Sequence, residues 1–272
     1  MIDTRMTLLI ISCDNHKDVV EQYMHYLRIN WPDCAFSVVV ATEDCDISDS
    51  DSTIIKCGKG VLWTKEVLIA LNHIDTKYVL MTVDDFYISR KINSEIIFDA
   101  LSFMENNKIK YYRIPRADRS IKKKDLYPGQ TYVSKVRKNV PYSVSIGSAI
   151  WEKEELISIL GDGTQSAWQI EDHFTKIAID SGPGYYDGYA SDARSFMQCA
   201  HMVTNGKWIP SGLRLMKKRG YIVDLGKRPI LSKREVFSMN IRIFATKITP
   251  KRLRVCIKKF FKGFGVKFAS NH

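Results

Sequence analysis

The sequence lacks the motifs that would assign it to several common classes. Its six cysteines include no Cys-any-any-Cys pair, which argues against a zinc knuckle or a redox motif and favours reduced thiols. The first apolar run meets Asp14 too early for a membrane span or a signal peptide, so we expect a cytoplasmic protein. Gly58-Lys59-Gly60 has neither the spacing nor the ending of a P-loop.

Acidic residues are scarce at the end of the chain. Residues 206–272 hold 18 Lys and Arg against 2 Asp and Glu, whereas residues 1–205 hold 23 against 28. From Thr249 onward the spacing predicts a basic amphipathic helix. Its apolar stripe consists of Leu253, Cys256, Ile257, Phe260, Phe261 and Phe264. We expect this helix to bind an anionic membrane surface, and the alternative is that its aromatic side chains pack on the rest of the protein.

Three apolar runs are each followed by polar or acidic residues. Residues 6–13, 36–41 and 78–83 have the near-continuous apolar character of buried strands. The segments 19–27 and 61–73 have helical spacing, and a short strand is expected before the second of them. This alternation predicts the α/β class, with a mostly parallel sheet flanked by helices and right-handed crossovers. A chain of 272 residues with 45% hydrophobic content fits one large domain with appendages.

The third apolar run ends in two adjacent carboxylates, Asp84 and Asp85. Open α/β sheets bind their ligands outside the carboxyl ends of the strands. Two carboxylates there repel each other unless a cation lies between them, and Mg²⁺ on a phosphate is held by one or two carboxylates. We therefore expect Mn²⁺ or Mg²⁺ at these two residues. The alternatives are solvated turn acids or an Asp that caps the next helix.

Several blocks of the chain together resemble the GT-A class of nucleotide-sugar glycosyltransferases, and more narrowly the bacterial enzymes that build capsular or O-antigen polysaccharide. The blocks are Ser12 to Asn15, Trp63-Thr64, Val83 to Tyr87, Ser143 to Trp151, Ser166 to Glu171 and Gly206 to Trp208. The resemblance spans about residues 6 to 210. It departs from the family's Asp-any-Asp signature, because Thr82 replaces the earlier acid and Asp84 is adjacent to Asp85. Either carboxylate is therefore a candidate for direct contact with the metal.

The resemblance implies a GT-A-like, Rossmann-related catalytic domain over residues 1–210 and a basic helical C-terminal extension over residues 211–272. It also implies the transfer of a sugar from a nucleoside diphosphate sugar to a saccharide acceptor carried on a lipid, in surface polysaccharide biosynthesis. Such an enzyme is expected at the inner face of the cell membrane, associated peripherally and without a nucleic-acid partner.

Sugar transfer also needs a base that takes the proton of the acceptor hydroxyl. The resemblance favours Glu171, which closes the Trp-any-any-Glu block, with Asp172 as the second candidate. The alternative for Glu171 is an acid in the first helical turn that interacts with the helix dipole.

The donor candidates lie at the ends of the three predicted strands and in the segment before the third, and the acceptor candidates lie in the later blocks of the resemblance. The donor candidates are Ser12, Asp14, Asn15, Glu43, Asp44, Trp63, Lys65 and Asp84. The acceptor candidates are Ser148, Trp151 and Trp168. For Trp63 a place in the core is the alternative, since large aromatic side chains most often fill cores.

Two other functional classes are compatible with parts of the sequence. A nucleic-acid-binding protein would use the basic tail to contact phosphates, but acidic residues at three strand ends do not suit that partner. A nucleotidyltransferase on a similar sheet would use the same metal site and would release pyrophosphate from a nucleoside triphosphate.

Overall fold

The computed structural model describes residues 2–115, 120–140, 143–180 and 182–239. The helices are α1 (Lys17–Asn30), α2 (Trp63–Leu71), α3 (Ser94–Asn106), α4 (Lys153–Leu160), α5 (Ala167–Asp180) and α6 (Pro210–Lys218). The strands are β1 (Met6–Ile11), β2 (Ser37–Thr42), β3 (Thr53–Lys56), β4 (Tyr78–Val83), β5 (Phe86–Ile88), β6 (Tyr111–Arg113), β7 (Val133–Arg137), β8 (Ala149–Glu152), β9 (Tyr185–Asp192), β10 (Cys199–His201), β11 (Val203–Thr204) and β12 (Lys207–Trp208). The predicted order of strand, helix, strand, short strand, helix and strand at the start of the chain is confirmed.

Eight strands form the main sheet in the order β3-β2-β1-β4-β8-β6-β9-β7. The first four are parallel to one another, and β6 is parallel to β9. β8 is antiparallel to both of its neighbours, and β7 is antiparallel to β9. The predicted mostly parallel α/β sheet flanked by helices is therefore confirmed.

Side chains of β1 alternate between two hydrophobic layers. Leu8 and Ile10 belong to the layer that includes residues of α1 and α3. Leu9 and Ile11 belong to the layer that includes residues of α2, α4 and α5. Because successive residues of a strand face opposite sides of the sheet, one apolar run supplies both layers. This explains why β1, β2 and β4 read as continuous rather than alternating apolar segments.

A two-stranded sheet extends the structure beyond β4. The chain turns after Asp85 into β5, which pairs antiparallel with β10 so that His201 lies opposite Phe86. The segment after α6 returns to α1, where the Tyr221 hydroxyl donates to Oδ1 of Asn30 at 2.7 Å. The buried Asn30 amide donates to the carbonyl of Ile88 at 3.1 Å, which joins α1 to β5. These contacts fix the surroundings of the predicted metal carboxylates.

The end of the described chain is helical over residues 233–239. The basic helix predicted from Thr249 lies outside the described residues. In the described ranges, no helix combines the length and apolar composition needed to cross a bilayer.

Candidate functional site

The carboxyl ends of β1, β2 and β4 meet at one edge of the main sheet. The amide of Ser12 donates to the carbonyl of Ala41 at 2.9 Å, and the amide of Asp84 donates to that of Ile11 at 3.3 Å. These ladder bonds bring the polar residues that follow the three strands to a common edge. The structure therefore places Ser12, Asp14, Asn15, Glu43, Asp44, Asp84 and Asp85 at the ends of neighbouring strands.

Asp84 is a buried carboxylate with two local partners. Only 4% of the residue is exposed. The Ser12 hydroxyl donates to its Oδ2 at 2.5 Å, and Nδ1 of His16 lies 3.2 Å from both of its oxygens. Burial raises the pKa of Asp84, while the hydrogen bond to Asp84 raises the pKa of His16. Both oxygens of Asp84 are thus engaged by the protein.

Asp85 is held differently from its neighbour. Its Oδ2 lies 3.2 Å from Nε2 of His201, whose ring stacks on Phe86 at 4.7 Å between centroids. Its Oδ1 is buried and has no hydrogen-bond partner in the part of the chain that the structure describes. A buried carboxylate oxygen without a partner is costly, so this atom marks a position that a ligand can satisfy.

The two carboxylates fit a divalent metal ion whose other ligands are phosphate and water oxygens. Across the described ranges, no group of three or more His, Cys, Asp and Glu side chains is placed to hold a metal ion. Mg²⁺ needs no such group, because it is usually held by one or two carboxylates together with phosphate and water oxygens. Oδ1 of Asp85 suits that role, whereas the oxygens of Asp84 are taken by Ser12 and His16.

Asp14 joins the ends of β1 and β2. Its Oδ1 accepts hydrogen bonds from the backbone amides of Asp44 at 2.9 Å and Cys45 at 2.8 Å, and its own amide donates to Oε2 of Glu43 at 3.1 Å. The bond from Asp44 is the main reason that the pKa of Asp14 is lowered. Asn15 and the Asp44 side chain are exposed at this edge, and Lys59 pairs with Asp44 at 3.3 Å. Asp14 therefore orders the loops, while its neighbours remain accessible to a nucleotide.

Glu66 is a site residue that the sequence analysis missed. It lies in α2, is 6% exposed, and its Oε1 has no hydrogen-bond partner within the described chain. Burial raises the pKa of Glu66 to about 8, and the charges of Glu43, Asp84 and Asp14 add to the shift. The sequence did contain one indication that Glu66 is buried, because it falls four residues before the apolar Ala70 and so on the same face of the helix.

The predicted acceptor residues involve α5 and the segment before β8. The hydroxyl of Ser145 donates to Oε1 of Glu171 at 3.4 Å, and Ser148 lies 3.3 Å from the hydroxyl of Thr82 in β4. The start of α5 is tied to α2, because the hydroxyl of Thr64 donates to the carbonyl of Gln165 at 2.8 Å. Glu171 and Ser148 thus lie at the same edge of the sheet as the paired carboxylates.

The remaining predicted residues are spread more widely. Asp172 and Lys65 are exposed, and Trp63 is half-buried against the α2 layer. Trp151 is fully buried, with its ring centre 4.3 Å from that of Tyr111. Its side chain is therefore not at the surface of the candidate site. The backbone of Trp168 lies in the first turn of α5.

Arg228, far along the chain, also reaches this edge. Its guanidinium donates to the carbonyl of Asn15 at 2.8 Å and to the carboxylate of Asp18 at 2.6 Å. It also donates to the carbonyl of Gly206 at 3.1 Å. The segment after α6 is thereby attached to the turn that follows β1, a contact for which the sequence holds no local signal.

Comparison with known proteins yields similarities to solved structures. No protein-family model matches the chain, and neither does any curated protein. The chain is similar to Staphylococcus aureus TarS 1–349 in complex with UDP, at 15% identity and a TM-score of 0.43, covering 82% of this chain and 67% of that one. It is also similar to a nucleotidyl transferase from Methanothermobacter, at 9% identity and a TM-score of 0.41, covering 71% and 89%.

A third similar structure is the bifunctional IspDF from Campylobacter jejuni, at 13% identity and a TM-score of 0.39, covering 72% of this chain and 52% of that one. The chain spans 58% of the length of another TarS 1–349 structure and 35% of a longer TarS chain. At these identities and TM-scores the similarities do not assign a substrate to this protein.

The burial of Glu66 predicts a specific dependence of stability on pH. Between pH about 5 and 8 the folded state keeps the Glu66 proton that the unfolded state loses, so stability falls as pH rises, by up to about 1.4 kcal/mol per pH unit. Glu66→Gln should reduce this slope, whereas Glu154→Gln, which changes an exposed glutamate of α4, should retain it. Urea unfolding at a series of pH values measures the slopes. Equal slopes in wild type and Glu66→Gln would contradict the prediction.

Proposed function

We propose that this protein is a metal-dependent glycosyltransferase that moves a sugar from a nucleoside diphosphate sugar to a saccharide acceptor in surface polysaccharide biosynthesis. The observation that carries the proposal is the unsatisfied Oδ1 of Asp85 beside the buried Asp84, at the edge where Glu171 also lies. Phosphate oxygens and a bound cation would satisfy this atom. A carboxylate on the opposite side of the same edge supplies the base that transfer needs.

The donor would bind along the ends of β1, β2 and β4. Asp85 would hold Mn²⁺ or Mg²⁺, and Asp84, fixed by Ser12 and His16, would support it from within the protein. When bound, the cation neutralises the charge of the leaving diphosphate. Glu43 and the exposed Asn15 face the nucleoside side, where carboxylate and amide groups can bind hydroxyl and base groups.

Glu171 would act on the acceptor. In the transfer, the bond between the anomeric carbon and the diphosphate oxygen breaks, and the acceptor oxygen bonds to that carbon. The acceptor hydroxyl must lose a proton, which Glu171 takes. The hydrogen bond from Ser145 fixes the Glu171 carboxylate, so that its position is set before the acceptor binds.

The C-terminal extension would bring the enzyme to an anionic membrane that carries a lipid-linked acceptor. In its described part, Ile222 is 93% exposed and Phe237 is 66% exposed. Lys227, Lys233 and Arg234 lie in the same segment. Exposed apolar side chains among basic residues are typical of surfaces that bind the headgroup region.

Asp85→Asn tests the metal site. Nucleoside diphosphates should stabilise the wild type against heat more strongly with Mn²⁺ than with a chelator, and the variant should lose this difference because it lacks the carboxylate charge. Asp46→Asn, an exposed acid of the loop after β2 that is not among the donor candidates, is the matched control and should retain it. Release of a nucleoside diphosphate rather than pyrophosphate would separate a glycosyltransferase from a nucleotidyltransferase. Full activity in excess chelator would overturn the metal assignment.

Glu171→Gln should lower the turnover rate by about a hundredfold or more, the usual contribution of a general base, with little change in donor affinity. Steady-state kinetics with a soluble acceptor measure both quantities. Asp172→Asn also replaces a carboxylate with an amide, at the neighbouring exposed residue, and its turnover rate should stay close to that of the wild type. If Asp172→Asn shows the loss and Glu171→Gln does not, the role belongs to Asp172.

Deletion of residues 249–272 should release the protein from anionic vesicles and slow transfer to a lipid-linked acceptor. Transfer to a soluble acceptor should persist, because the proposed metal and base residues lie far upstream. Vesicle flotation of the intact protein should weaken with salt, since charges are screened over about 10 Å at 0.1 M. An unfolded truncated protein would instead show that the tail packs on the rest of the chain.

A further inference from the structure

Two neighbouring cavities lie beside α3, between this helix and the residues that precede β7 and follow β9. The first has a volume of about 430 Å³ and is lined by residues that include Ile96, Tyr132, Arg194, Phe196 and Gln198. The second has a volume of about 360 Å³ and is lined by residues that include Asp99, Asn106, Asn107, Gln130, Tyr132 and Arg194. Tyr132 and Arg194 therefore form a shared wall, and each volume falls in the range of small-molecule sites.

The shared wall is fixed by contacts beneath it. The Arg194 guanidinium lies 4.9 Å from the centre of the Tyr132 ring and donates to Oδ2 of Asp192 at 2.8 Å. Asp192 is buried and also accepts from the Tyr112 hydroxyl at 2.6 Å. Tyr132 itself is 51% exposed. An exposed aromatic ring on a rigid support is thus presented to both cavities.

The charges of the lining argue against an anionic ligand, because Asp99 of α3 adds an exposed carboxylate. The positive charge of Arg194 is compensated by the buried carboxylate of Asp192, so the wall does not present an unpaired cation to a phosphate. Asn106, Asn107, Gln130 and Gln198 contribute amides, which offer donors and acceptors together. Hydroxyl groups also both donate and accept. An aromatic face beside several amides therefore suits a polyhydroxylated ring.

The cavities are connected to the candidate site but are distant from its metal carboxylates. β9 is the third strand from β4 in the sheet, so their carboxyl ends lie about 14 Å apart at ordinary strand spacing. Between them, the amide of Ser89, which follows β5, donates to the carbonyl of Gln198 at 2.9 Å. A ligand that reaches from Asp85 to Tyr132 must therefore be longer than one sugar ring.

We infer that the two cavities form a distal saccharide subsite, in which Tyr132 stacks on a sugar ring of an oligosaccharide or polysaccharide acceptor away from its reacting end. The inference rests on the proposed function for the identity of the acceptor. Binding of a saccharide at Tyr132 is nevertheless measurable without the transfer reaction.

The full-length protein, without metal or nucleotide, is titrated with fluorescently labelled oligosaccharides of glucose, galactose and N-acetylglucosamine, from mono- to hexasaccharide. Longer members of at least one series should bind in the millimolar range or tighter. Tyr132→Ala should weaken this binding about tenfold, since a stacked aromatic contact and its buried area contribute on the order of 1 kcal/mol. Tyr132→Phe should bind like wild type, because it keeps the ring. Ile29→Ala removes an exposed apolar side chain of α1 that lines neither cavity and should also bind like wild type.

Gln130 lines the second cavity, and Gln130→Ala should also weaken saccharide binding. This variant tests the subsite if Tyr132→Ala does not fold. Nucleoside diphosphate binding with Mn²⁺ is measured on every variant and should not change. Absence of binding by all members at millimolar concentration, or equal affinity in wild type and both cavity variants, overturns the subsite. Tyr132-dependent saccharide binding without any nucleotide binding would leave the subsite in place and would overturn the glycosyltransferase assignment instead.

Discussion

The removal of the Asp84 carboxylate from water is the constraint on which the candidate site depends. A buried carboxylate is tolerated when hydrogen bonds compensate its lost hydration, and here Ser12 and His16 provide them. Ser12 follows β1 and His16 precedes α1, so the compensation fixes the turn after β1 against the end of β4. Among the described residues, only Oδ2 of Asp85 then has a hydrogen-bond partner, and the site takes its shape from this difference between the two oxygens.

The parallel half of the sheet could be predicted because its strands are apolar on both faces and end in polar residues. β1, β2 and β4 each carry that pattern, and the helices between them have helical spacing. The other half was harder to predict. β6 and β8 are only three and four residues long, and the antiparallel placement of β8 between β4 and β6 depends on contacts that no local pattern records.

The residues of the candidate site also fall into a group that the sequence predicts and a group that it does not. Asp84, Asp85 and Glu171 stand out in the sequence because each follows or closes a recognisable block, and the structure brings them to one edge. His201 and Arg228 do not stand out, because their positions depend on pairings that join distant segments. Trp151 was predicted because it closes the block from Ser143, but strand alternation alone could not show that its ring faces the core. The Tyr132 wall likewise requires β7 and β9 to be neighbours.

The contact between Arg228 and the turn after β1 has a consequence for the order in which the protein is made. Arg228 is synthesised 213 residues after Asn15, and His201 is synthesised 116 residues after Asp85. Contacts of such high sequence separation form late and slow folding. A nascent chain therefore exposes the paired acids before their far partners exist, and this edge of the sheet reaches its final form only after Arg228 has been synthesised.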